Sequence, residues 1–305
     1  MKSYIHRYAT ISRVDSFDQG ILHGESIEVN AETVHPNYKD YISPALIRRM
    51  SPMVKMGVTA GLKCLEGQGE IGGVIVGTDL GCLRDTEKFL GTVVKHEGLA
   101  ISPTAFIQST HNTVAGQIAL TIGNNAYNMT HSQQGISFEC ALMDAQLLTV
   151  ETQLPVLVGA CEEHIEFLSE MATDFGVDQL DLAEGASYFL IAAEKGASKT
   201  AVTKIQIGLS DNELENLLAT IQPDLLLTSS LMDNRFKTAL SSIDFTKFCG
   251  VYGTNSAFGL QLAVELLEKD PKAIETPSAK NLQKIALINV NRTQDYCVTI
   301  VEKVD

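Results

Sequence analysis

Two stretches of this sequence, Ser137–Val150 and Asn255–Leu267, are apolar on nearly all sides at helical spacing, and a third, Thr113–Ile122, is built of small and apolar residues around Gly116. A helix without a polar face is buried on more than one side, so the fold must provide an interior layer for it. The segments between read as short buried strands: Ile71–Val76, ending at Gly77-Thr78-Asp79, and Pro155–Val158, running into Gly159-Ala160. Strand, buried helix, strand is the pattern of a layered α/β protein. The second half repeats it. Ala186–Ala193 and Lys204–Leu209 are strand-like, and Ser210-Asp211-Asn212-Glu213 is a capping box opening a helix to Ile221. Asp224–Leu227 is a further apolar strand, and Lys284–Val290 with Tyr296–Val301 form a closing antiparallel pair. Additional helices are predicted over Ala45–Leu65, opened by Ser43-Pro44, and over Leu83–Lys95. The whole chain, 1–305, reads as one domain with pseudo-halves of about 1–180 and 181–305.

With 45% hydrophobic residues the chain can bury a large core without disulfides or metals. Its six cysteines are scattered, with no CxxC and no Cys/His pairing at zinc spacing, so no metal site and no cofactor is expected. No apolar run is long enough for a signal peptide or a membrane span, which predicts a soluble, cytoplasmic protein. A net charge of −14 repels a phosphate backbone or an anionic membrane, and neither is expected as a partner. Glycines 72, 73, 77 and 81 form no G-x-G-x-x-G or Walker sequence and read as tight strand–helix turns.

Several segments, taken in order, resemble the condensing enzymes of the thiolase superfamily. Arg49-Met50-Ser51-Pro52-Met53 resembles the Arg-Arg-Met-Ser stretch of β-ketoacyl synthases, and Gly77-Thr78-Asp79-Leu80-Gly81-Cys82 their Gly-Thr-Gly-x-Gly turn. Ser102–Gly116 is similar to the segment before their nucleophile, and Val158-Gly159-Ala160 to their Val-Gly-Gly. Glu184-Gly185-Ala186 matches their Glu-Gly-Ala, and Thr254–Gly259 resembles Thr-Leu-Gly-Ala-Ala-Gly. The resemblance spans nearly the whole chain and implies a thiolase-like five-layered αβαβα sandwich of two pseudo-symmetric halves. Ser137–Val150 and Asn255–Leu267 would be its central helices, between two five-stranded sheets.

The family's chemistry needs a cysteine at the N-terminus of the first central helix, where the helix dipole and backbone N–H groups favour a thiolate and an oxyanion. Here that position falls at Gln134, and an amide cannot attack a thioester. Cys140 lies roughly 9 Å further along the helix at 1.5 Å per residue and reads as core. The family also draws two histidines, or a His and an Asn, from its C-terminal half. All seven histidines of this chain precede residue 165, and Ser229 and Gly253 stand at the two positions.

The resemblance therefore implies a synthase-like subunit lacking the Cys-His-His set and similar to the chain length factors. Such subunits partner an active ketoacyl synthase in fatty acid, polyketide or aryl polyene biosynthesis, completing the dimer and shaping its acyl tunnel. The expected partners are an active ketoacyl synthase or a second copy of the chain. The acidic acyl carrier protein would dock mainly through the synthase, with the basic cluster Arg48, Arg49, Lys55 as an exception. The candidate pocket is His111, Asn112, His131, Ser132, Gln134 and Gly135. The alternative is an independent acyl-transferring or thioester-hydrolysing enzyme with His111 and His131 as bases and Ser132 or Cys161 as nucleophile, although no G-x-S-x-G elbow supports it. Glu162-Glu163-His164 reads as an exposed loop or helix start, not a metal site.

Overall fold

The computed structural model describes residues 1–23, 27–95, 103–177, 179–232, 240–269, 281–291 and 295–304. Ser102, the first residue of the Ser102–Gly116 segment above, lies outside the described residues.

The strands are β1 (Ser3–Ile11), β2 (Gly73–Gly77), β3 (Tyr127–His131), β4 (Val156–Glu162), β5 (Gly185–Ala192), β6 (Thr200–Leu209), β7 (Leu225–Thr228), β8 (Ser242–Asp244), β9 (Lys284–Val290) and β10 (Tyr296–Lys303). The helices are α1 (Pro44–Ile47), α2 (Pro52–Cys64), α3 (Leu83–Lys95), α4 (Pro103–Gln108), α5 (Thr113–Ile122), α6 (Ser137–Thr152), α7 (Glu166–Asp174), α8 (Asp211–Ile221), α9 (Thr246–Cys249) and α10 (Ser256–Glu268).

The strand order is β3-β2-β4-β5-β1-β6-β10-β9-β7-β8. Outward from the centre, one side runs β1, β5, β4, β2, β3 and the other β6, β10, β9, β7, β8, the same ranks advanced by five. The strand directions repeat too: β2 is parallel to β3 and β4, as β7 is to β8 and β9, and the inner pairs are antiparallel. The two five-stranded sets are joined into one ten-stranded sheet through Ser3↔Val202 and Tyr4↔Ala201 alone.

Burial sorts the helices into layers. α6 and α10 share one core with inward residues of both sets, among them Phe138, Phe189, Phe258 and Leu287. α2 and α5 pack on the outer face of the first set through Met53, Val54, Val114 and Ile118. α8 covers the second with Leu214 and Leu218. The result is the αβαβα sandwich, with the two all-round apolar helices at its centre. α10 buries every residue from Ser256 to Leu267, including the polar Gln261 and Glu265.

Two local expectations change. The single helix expected over Ala45–Leu65 is two, because Pro52 has no N–H to continue α1 and holds Ser51 extended at φ −68°, ψ 166°; Pro52 instead opens α2. The strand expected at Pro155–Val158 runs on to Glu162, which carries two carboxylates to the rim of the sandwich.

Candidate functional site

The site forms where β2, β4 and the turn between β3 and α6 end together. After β2, the turn Thr78-Asp79-Leu80 presents two backbone N–H groups that donate to the Glu162 carboxylate, Asp79 N to Oε1 and Leu80 N to Oε2 at 3.4 Å. Thr254 Oγ1 approaches Glu162 Oε1 from the second half of the chain at 3.4 Å. Glu163 Oε1 accepts the backbone N–H of Arg84 at 2.9 Å, at the start of α3, where the helix dipole favours a carboxylate. These acids line a cavity of about 540 Å³ whose opposite wall is α7, with Leu168, Met171 and Phe175 facing it.

Gln134, Ser229 and Gly253, the three positions expected above to replace the family's catalytic residues, fall in different settings. Gln134 opens a short 3-10 turn ahead of α6 and holds φ at +58°, a left-handed conformation uncommon for a residue other than glycine. A strained strand-to-helix turn of this kind presents the nucleophile in other enzymes; here it presents an exposed amide. Ser229 is buried, and its Oγ accepts the N–H of Leu231 at 3.3 Å. Gly253 lines the cavity, and the Asp79 side chain fills the space beside it. A Cβ at position 253 would meet Asp79 Oδ2 at 2.6 Å and Cγ at 2.9 Å, with the Asp79 Cβ closer still.

Of the six residues of the expected pocket, Gly135 lines the cavity and its carbonyl accepts Asn289 Nδ2 at 2.8 Å. The His111 ring lies against Gly81. Asn112 Oδ1 accepts the Thr130 hydroxyl at 2.8 Å, and Ser132 Oγ donates to the Asp79 carbonyl at 3.3 Å. His131 Nε2 is 2.9 Å from Asp144 Oδ2, an oxygen that also accepts the Tyr127 hydroxyl at 3.1 Å.

Glu162 and Glu163 correct the reading of that segment as an exposed loop. Both are at least 95% buried, because β4 extends through Glu162 and α3 and α7 close around its end. Among the described residues no His, Cys, Asp and Glu group is arranged to hold a metal ion. Asp79, Glu162, Glu163 and α7 were not expected at the site; the one sequence signal was Asp79 standing where the family turn has glycine. Burial also raises the thiol pKa of Cys140, the half-buried cysteine of α6, so it is no thiolate at neutral pH.

Burial pushes the Glu162 carboxyl up to about 8 and that of Glu163 to about 7. In the unfolded chain both release their protons near 4.3. The folded chain therefore binds more protons between these limits, and stability present below about pH 4.3 is lost as pH rises through 7 to 8. Urea midpoints should fall steadily from pH 5 to pH 9, and Glu162→Gln should flatten the slope. An unchanged slope in that variant would show that general self-repulsion at net charge −14 is responsible instead.

No curated protein matches this sequence. Among solved structures, similar chains include one from the type II PKS acyl-carrier protein–ketosynthase complex AntDE:AntF, at 14% identity over 99% of both chains and a TM-score of 0.77. The ishigamide ketosynthase/chain length factor is 15% identical over 100% of both chains, with a TM-score of 0.75. The ketosynthase–chain length factor complex of Xenorhabdus doucetiae is 15% identical over 99% of this chain and 100% of that one, at 0.62. No described helix is long and apolar enough to cross a membrane. The fold is thus that of the thiolase-like ketosynthases, and since residues 25–206, well over half of the sequence, match the model of the beta-ketoacyl synthase N-terminal domain, the chain belongs to the beta-ketoacyl synthase family.

Proposed function

We propose that this chain is a non-catalytic, chain length factor type subunit that pairs with a catalytically complete ketosynthase. Gln134, Ser229 and Gly253 supply neither nucleophile nor base, so the chain's contribution has to be made through its surface and its cavity.

The observation that carries the reading is the open edge of the first half. β3 is the last strand of the sheet, bonded to β2 on one side only, and has no lysine or proline of the kind that usually protects an edge. Tyr127 and Met129 are exposed on it, and Met143, Leu147 and Val150 are exposed at helical spacing on the neighbouring α6. An edge strand flanked by an apolar helix face suits strand addition by a partner, with main-chain hydrogen bonds along the edge and apolar burial beside it.

Co-expression with a catalytically complete ketosynthase, followed by size-exclusion chromatography and a condensation assay, tests this. The expected result is an equimolar complex that Leu147→Glu disrupts, and a product length that shifts when bulky residues replace Gly135 or Ser132. Separate elution with an unaltered product profile would end the proposal, and a stable homodimer indifferent to the synthase would replace it with self-association.

A further inference from the structure

We propose that Asp144 decides what can dock on the open edge formed by β3 and α6: it bars a second copy of this chain and admits a non-identical subunit that brings a lysine or arginine to the same place. The inference rests on the subunit reading above and names the partner's chemistry.

The charge along the sequence is one-sided. No lysine or arginine stands between Lys95 and Lys195, while 13 aspartates and glutamates do. α5, β3 and α6, which make up the open edge, all come from this span. Of the acids in these three elements Glu139 is buried, and Asp144 and Glu151 reach the surface. The elements therefore offer a partner two carboxylates and neither lysine nor arginine, so the complementary surface is cationic.

Asp144 holds the decisive position of the two. β3 runs alongside β2, with Tyr127 paired to Gly73 and His131 to Gly77. α6 crosses the same stretch in the opposite direction, since a Cβ at Gly77 would meet Ser137 and Phe138 and one at Gly73 would meet Leu148. Residues 143 and 144 thus lie level with Met129, the middle of the five-residue strand. The side-chain contacts agree. Tyr127 Oη and His131 Nε2, from the two ends of β3, both reach Asp144 Oδ2, at 3.1 and 2.9 Å.

A second copy adding its own β3 would pair antiparallel about a two-fold axis, and an axis that uses all five residues passes Met129. A two-fold contact sets each residue at the axis beside its own counterpart, so Asp144 would meet Asp144. Met129, Met143 and Leu147, exposed in the single chain, would close around the two carboxylates and strip them of water. Like charges repel strongly in such a setting. A non-identical subunit escapes this rule. A lysine or arginine on it opposite Asp144 turns the repulsion into a charge pair, while the apolar residues around it serve either occupant equally.

The test is sedimentation equilibrium of the whole chain at about pH 8, above the ordinary titration range of imidazole. The parent should remain monomeric, and Asp144→Asn, close to isosteric, should self-associate at least about tenfold more tightly. Asp144→Lys should remain monomeric alone yet pair with the parent when the two are mixed, because the mixture places opposite charges at the axis. Leu147→Glu added to Asp144→Asn should abolish the association, which locates it on this face. Glu215→Gln, on the exposed face of α8, should promote none, which separates the effect from the net charge of −14. Towards a catalytically complete ketosynthase the sign reverses: Asp144→Asn should bind about tenfold more weakly, and added salt should weaken the parent's complex more than the variant's. A parent that dimerises as tightly as Asp144→Asn, an Asp144→Asn chain that stays monomeric, or a mixture that does not pair would overturn the bar against self-pairing. An Asp144→Asn chain that binds the synthase as well as the parent does would overturn the cation. Separate elution of parent and synthase ends the subunit reading and the cation with it, while the bar against self-pairing is decided by the chain alone.

Discussion

Gly253→Ala and Gly253→His will each destabilise the chain by about 3 kcal/mol, the upper part of the range for overpacking a tight site, and Asp79→Gly will relieve most of that loss. The conflict starts at the first side-chain carbon. A Cβ on residue 253 falls 2.6 Å from Asp79 Oδ2, 2.9 Å from Cγ and nearer still to the Asp79 Cβ, an atom fixed by the backbone that no rotamer change can withdraw. That backbone is itself held, since Asp79 N donates to Glu162 and its carbonyl accepts from Ser132. Asp79→Gly alone should cost roughly 1 kcal/mol through chain entropy, yet in the double variants it should be stabilising, a coupling well beyond the additivity expected of independent sites. The resemblance gives the pair its meaning. By that resemblance the family's turn glycine would fall at Asp79 and its C-terminal histidine at Gly253, so the large and small residues would stand exchanged in this chain. Restoring histidine alone is therefore expected to unfold the site before it restores any chemistry. Urea midpoints of the parent, the three single variants and the two doubles decide the matter. A Gly253→Ala variant as stable as the parent, or an Asp79→Gly change that adds to the damage, would sink the idea.

That exchange also marks the limit of what could be read from residues alone. That no histidine follows His164 is a property of the sequence, and so is the missing polar face on the two helices that became the central layer; both were legible before any coordinates. The contact between positions 79 and 253 is not, because nothing local to either residue announces it. Burial of Glu162 and Glu163 escaped notice for a similar reason. Two adjacent glutamates look solvated, and only the assembled turn after β2 and the start of α3 supply the N–H donors that make burial tolerable. β1 was missed although it lies at the centre of the sheet. Its exposed His6-Arg7 step coincides with a register shift against β5, which breaks the alternation a strand is recognised by. α7 was missed as well: Phe167, Leu168, Met171 and Ala172 do share one face, but in a helix of 9 residues the pattern repeats only once.

The largest single loss of stability is expected from Glu265, the carboxylate at the heart of α10. Glu265→Ala should cost about 4 kcal/mol, the range found when one member of a buried charged network is removed. The side chain is completely buried and every lone pair is in use. Oε1 accepts the backbone N–H of Ile21 at 2.9 Å and Gln261 Nε2 at 2.8 Å; Oε2 accepts the N–H of Leu22 at 2.8 Å and Lys269 Nζ at 2.9 Å. The central helix thereby holds the segment that follows β1, and Gly20 is what lets that segment come so close. It sits at φ +84°, and a Cβ there would lie 2.7 Å from Glu265 Oε1 and 2.8 Å from Lys269 Nζ. Removing the carboxylate leaves two buried backbone amides and the Gln261 amide without an acceptor, at about 1–3 kcal/mol for each unsatisfied group. Lys269→Ala should be milder, roughly 1–2 kcal/mol, because the Lys269 side chain is 37% exposed and the carboxylate keeps its three other donors. Hydrogen exchange separates an anchor from mere packing. In Glu265→Ala the amides of Ile21 and Leu22 should lose protection far more than those of the β2–β4 pair in the first set of strands, whereas in Lys269→Ala they should stay protected. Uniform loss of protection would mean that the carboxylate stabilises the core as a whole and anchors nothing in particular, and retained protection at both amides would mean that the contact contributes little.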